Sequence, residues 1–101
     1  MLLFRISQVT NDEFDVWTAA VVAADSIEAA RNMHPASPAG RPDMIIWSKE
    51  KNGWMYSDEI DDPEAYPVDD WAPPHTINVT MVGVCVGKFK PGVILASYRA
   101  G

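Results

Sequence analysis

AVVAADSIEAARNMHP, residues 20–35, decides how this chain is read. It begins as a run of small and β-branched apolar residues, the composition of a strand that packs closely. Asp25 then stands where a helix N-cap would. Glu28, three positions on, makes a capping-box-like pattern with Asp in place of Ser or Thr. Ile27, Ala30 and Met33 or His34 recur at helical spacing. Pro35 disfavours helical geometry at His34, so the pattern predicts a short helix over about 26–34. About two turns are marginal alone, and such a helix must dock on a sheet.

Working outward, Leu2 to Val9 alternates, with Leu2, Phe4, Ile6 and Gln8 on one face and Leu3, Arg5 and Ser7 on the other. This reads as a strand. Thr10 to Glu13 is a polar turn, and Phe14 to Ala24 a second strand, so the pair is an antiparallel hairpin. Residues 35–43, PASPAGRPD, hold three prolines and a glycine and form a loop. Met44 to Trp47, a turn at Lys49 to Gly53, and Trp54 to Tyr56 form a second hairpin. Residues 57–75 read as an acidic, Pro-rich ordered loop or partner surface. Ile77 to Val86 is β-like, Lys88 to Gly92 a turn, and Val93 to Tyr98 a final strand. The fold class is α+β: an antiparallel sheet of about 4–6 strands, ββα then a closing ββ hairpin, with one helix on one face. A chain of 101 residues without repeats or a separable linker is one domain, 1–101.

Charge is unevenly spread. The formal net charge is −6. Residues 52–87 hold seven acids and no Lys or Arg, whereas residues 88–101 hold three bases and no acid. That balance argues against direct nucleic-acid binding through a basic face and favours a basic partner. No apolar run reaches the roughly 18 residues of a membrane span. Arg5 follows Met-Leu-Leu-Phe too closely for a signal peptide. The one cysteine, Cys85, excludes an internal disulfide and suits a cytosolic setting. Its apolar neighbours predict a buried thiol acting as a small hydrophobe.

FDVWTAAVVAADSIEAARNMHP and VGVCVGKFKPGVILASYRAG together resemble a group of small phage- and prophage-encoded proteins of unknown function. In that group an AVVAA-like strand leads into a short helix ending in His-Pro. A V-x-x-V-G-like strand and a GVILAS-aromatic-x-AG terminus follow. The likeness covers residues 1–35 and 77–101. It implies a phage origin and a small α+β domain, with the host cytoplasm as location. The middle, residues 36–75, departs from the compact pattern.

No nucleophile elbow, phosphate loop or dinucleotide fingerprint is present, so enzyme activity and a cofactor are not expected. Two histidines, His34 and His75, lie 41 positions apart, which is no compact zinc pattern. The acids lack the turn glycine and alternating ligands of a calcium loop, so no metal site is expected. His34 at a helix end would favour protonation through the helix dipole. The reading adopted is that it caps or packs, and that His75 is structural.

SDEIDDPEAYPVDDW, residues 57–71, carries the remaining signal, with seven acids among fifteen residues. A solvated loop is the plain reading. Pro63 and Pro67 lower the cost of ordering on binding, and aromatics beside acids supply anchors. The predicted partner-binding residues are Asp58, Glu59, Asp61, Asp62, Glu64, Tyr66, Asp69, Asp70 and Trp71. Trp47 and Trp54 extend this surface or belong to the core. The expected function is that of an acidic phage accessory protein binding a host protein with a basic surface, an anti-CRISPR-like inhibitor being one instance. A small-ligand-binding protein built from Trp and Arg at an oligomer interface, and a minor virion component, are the alternatives. A homodimer stays open.

Overall fold

A computed structural model describes residues 1–9, 15–85 and 90–99. The expected polar turn at 10–13, the start of the second strand at Phe14, Val86, and the first two residues of the turn at 88–92 lie outside the described residues.

The fold is α+β, as the sequence pattern predicts. Among the described residues, six strands and one short helix follow the order β1 (Leu2–Ser7), β2 (Val16–Ala24), α1 (Ile27–Arg31), β3 (Ile45–Ser48), β4 (Gly53–Tyr56), β5 (Asn78–Val84) and β6 (Gly92–Arg99). Single 3-10 turns lie at Ser57–Glu59 and Pro74–Thr76. Four strands form an antiparallel sheet in the order β5-β1-β2-β6, and β3 and β4 form a separate hairpin.

The alternation in β1 is borne out. Phe4 and Ile6 are buried, and Gln8 follows them inward. Their partners across the strand pair, Val22 and Ala20, are buried too. Burying each large apolar side chain here contributes about 1.5–3 kcal/mol. Small residues at Ala20 and Ala24 keep that face of β2 low enough for α1 and the β3–β4 hairpin to close over it. The core so formed joins Phe4, Ile6, Val22 and Ala30 to Ile45, Trp54, Trp71 and Ile77.

Two details of the expected arrangement change. The last two strands do not pair as a closing hairpin. β5 pairs with β1 and β6 with β2, so they occupy opposite edges of the sheet. Strand order is set by long-range pairing, which local periodicity does not encode. The helix is also shorter than expected. Ser26, not Asp25, is the N-cap, and its Oγ accepts from the Ala29 N–H at 3.1 Å. Glu28 therefore sits inside the first turn, where it suits the helix dipole, and its Oε1 lies 3.6 Å from Arg31 Nε. Asn32 ends the helix by donating from Nδ2 to the Glu28 carbonyl at 2.8 Å. The helix thus ends before His34-Pro35 rather than at it.

Candidate acidic interaction surface

The acidic segment starts where β4 ends and is built onto the hairpin. Its attachment begins with Asn52 and Gly53. Asn52 has a φ of 51°, a left-handed turn conformation that Asn tolerates. Gly53 begins β4, and a Cβ there would stand 2.3 Å from Pro67 Cβ. Only glycine lets Pro67 of the acidic segment lie flat on the hairpin. The next residue, Val68, donates its N–H to the Trp54 carbonyl at 2.8 Å and forms an isolated bridge with that strand.

Further ties hold the segment along its length. The Lys51 ammonium donates to the carbonyls of Asp62 (2.6 Å) and Ala65 (3.2 Å). The Glu64 N–H donates to Asp62 Oδ1 at 2.9 Å. The Trp17 N–H donates to the Asp70 carbonyl at 3.0 Å, which joins the segment to the main sheet. Trp54 Nε1 donates to the Ala72 carbonyl at 2.9 Å.

His34 supplies the deepest tie. It is fully buried, packs edge-on against Trp54 with ring centroids 5.4 Å apart, and uses both nitrogens. The Ala36 N–H donates to Nδ1 at 3.0 Å, so Nδ1 is unprotonated and the proton is on Nε2. Nε2 in turn donates to Asp70 Oδ1 at 2.7 Å. The His-Pro step is therefore a structural clamp between the loop after α1 and the end of the acidic segment. His75 lies exposed in the turn before β5.

These ties sort the predicted residues into three groups. Asp58, Glu59, Asp61, Asp62, Glu64, Tyr66 and Asp69 are exposed, with Tyr66 at 89%. Asp70 is half-buried and turned toward His34. Trp71 is not a surface anchor: it is 3% exposed and part of the core. It sits beside buried Ala72, and that apolar pair was the available signal that the chain re-enters the interior there. Trp54 is core as well, whereas Trp47 is half-buried and crosses Trp54 edge-to-face at 5.6 Å. Sequence reasoning missed Lys51, Pro67 and Val68 as fasteners. The Asn52-Gly53 pair, a strong turn signal, marked the place without revealing what packs on it.

Cys85 is half-buried rather than buried, and its N–H donates to the Met1 carbonyl at 2.9 Å. It follows the edge strand β5, which pairs with β1. Among the described residues, no three His, Cys, Asp or Glu side chains come together as a metal site. Among them, too, no helix is long and apolar enough to cross a membrane.

The opposite side of the four-stranded sheet has a different chemistry. Arg5, Val21 and Leu95 share its outer face through the pairs Arg5–Val21 and Val21–Leu95. Arg5 and Leu95 are exposed there. A groove of about 310 Å³ runs between Arg5, Ala19, Val21, Leu95 and Ser97. None of the four strands contains an acidic residue.

No family model, curated protein or solved structure matches this chain.

Proposed function

We propose that the chain is a protein-binding module that presents residues 58–69 as a preformed acidic surface to a basic protein partner. One observation carries this reading: the acidic segment is fastened at both ends and in its middle, yet its carboxylates and Tyr66 face outward. A loop whose only role is solubility needs no such fastening. Prior ordering lowers the entropy cost of association, and a one-signed surface speeds encounter with the opposite sign. In the phage setting that the sequence resemblance implies, the partner is a nucleic-acid-handling complex of the host. The carboxylates would then stand where phosphates otherwise lie, and the protein would inhibit by occlusion.

The test is capture from a bacterial lysate, with bound proteins quantified across a salt gradient. Changing Asp58 and Asp61 to Asn, Glu59 to Gln and Asp62 to Asn should abolish capture of a basic partner. Equal capture by the folded variant would overturn the reading.

A second reading rests on the Arg5 groove. An apolar trough with a single guanidinium at its side suits a small amphipathic anion, which would make the chain a ligand-binding protein. Retention of such an anion in native mass spectra, lost on Arg5→Gln, supports that reading. Its absence over a panel of aliphatic and aromatic carboxylates counts against it.

A further inference from the structure

The hairpin and the acidic segment enclose a recess of about 330 Å³. Its lining includes Trp47, Tyr66, Pro67, Asp69, Trp71 and Pro73. That size is at the small end for a ligand pocket and fits one side chain better than an extended ligand. Trp47 offers part of its indole, and Tyr66 stands almost wholly in solvent beside it. Asp69 is exposed at the same recess, while its neighbour Asp70 is turned inward to His34.

Aromatic surface and a carboxylate meeting in one recess are the complement of a planar cation. A guanidinium stacks on an indole face and hydrogen-bonds to a carboxylate at its edge. The Lys51 ammonium of the same segment is bonded to the backbone carbonyls of Asp62 and Ala65 rather than to a carboxylate. Trp71, which lines the recess, and Trp17 each have a buried indole N–H with no hydrogen-bond partner among the described residues. Trp54, by contrast, has its Nε1 satisfied by Ala72.

From these observations we infer that the recess receives an arginine side chain of the protein partner, held between Trp47, Tyr66 and Asp69. The inference rests on the acidic-surface reading and gives it a specific contact. The surface supplies long-range attraction, and the recess supplies register.

The experiment follows the four indole N–H signals of the isotope-labelled full chain by NMR. The probe is acetyl-Gly-Arg-Gly-amide, with the same tripeptide carrying citrulline, the uncharged counterpart, as control. The arginine peptide should shift the Trp47 and Trp71 signals at millimolar concentration and leave Trp17 in place. The citrulline peptide should leave all four unmoved. Asp69→Asn, an exposed change that spares the fold, should weaken the arginine effect about threefold. Equal shifts with citrulline, no shift at Trp47, or indifference to Asp69→Asn would overturn the inference. Retention on immobilised polyarginine reads the acidic surface separately. If wild-type protein is retained and Trp47 stays silent, the recess fails and the surface stands. If retention itself is absent, the surface reading fails.

Discussion

The four-stranded sheet and the hairpin with its acidic segment are built from opposite materials. The sheet strands contain no acid, and Leu95 and Val84 remain more than half exposed on them. The other half carries the acids 58–70 on a segment that is sparse in regular structure but dense in specific ties. The sheet holds its shape through a ladder of backbone pairs. The acidic segment holds its shape through single contacts placed at intervals: Gly53 under Pro67, Val68 on Trp54, Lys51 on two carbonyls, and His34 on Asp70. The difference teaches that absence of strands is not absence of structure.

The comparison can be broken hardest at Trp54, which both halves share. It is 1% exposed, meets His34 and Trp47 edge-on, and bonds to Ala72. Trp54→Ala should cost about 3–5 kcal/mol in denaturant unfolding. Against a total of about 5–15 kcal/mol for a typical domain, that approaches loss of the fold.

Next comes the clamp. His34→Gln cannot hold both the Ala36 N–H and the Asp70 carboxylate, and should cost about 2 kcal/mol by the same assay. That exceeds the modest loss that a simple helix-end residue would bring. Gly53→Ala probes the same attachment from the hairpin side. Its Cβ collides with Pro67, so the change should cost about 1–3 kcal/mol and speed amide exchange at Val68.

The smallest effect is at the seam between the halves. Tyr98 packs edge-on against Trp17 at 4.8 Å. Partial desolvation, with Asp15 and Asp70 nearby, raises its hydroxyl above the ordinary 10.0. The native chain then keeps a proton that the unfolded chain releases, so stability falls as pH rises through and above that value. In a variant carrying Tyr56→Phe and Tyr66→Phe, ultraviolet titration should show Tyr98 ionising above 10.0, with Asp70→Asn bringing it down.

The sheet was the legible half. Alternation in Leu2–Ser7 and the β-branched run ending in Ala24 each identify a strand and its buried face. The second hairpin was legible from Asn52-Gly53 between two tryptophan-bearing runs. What could not be read was everything that depends on distant partners. β5 and β6 go to opposite edges because β1 and β2 each have one free side, a fact about assembly rather than about either strand. Asp25 and Ser26 are both good caps, and tertiary docking decides between them. Trp71 among aspartates has the look of a surface anchor, yet the core needs its ring beneath the hairpin. Tyr66, with the same local setting, stays outside.

The central claim is that the acidic segment is a fixed surface. Backbone 15N relaxation tests it directly, by comparing Asp58 to Asp70 with β1 in the same molecule. Order parameters near those of β1, about 0.85, are expected through Val68, Asp69 and Asp70 and across the Lys51-bonded turn. Values below about 0.6 along the segment beside a rigid β1 would contradict it and return residues 57–70 to the standing of a solvated loop.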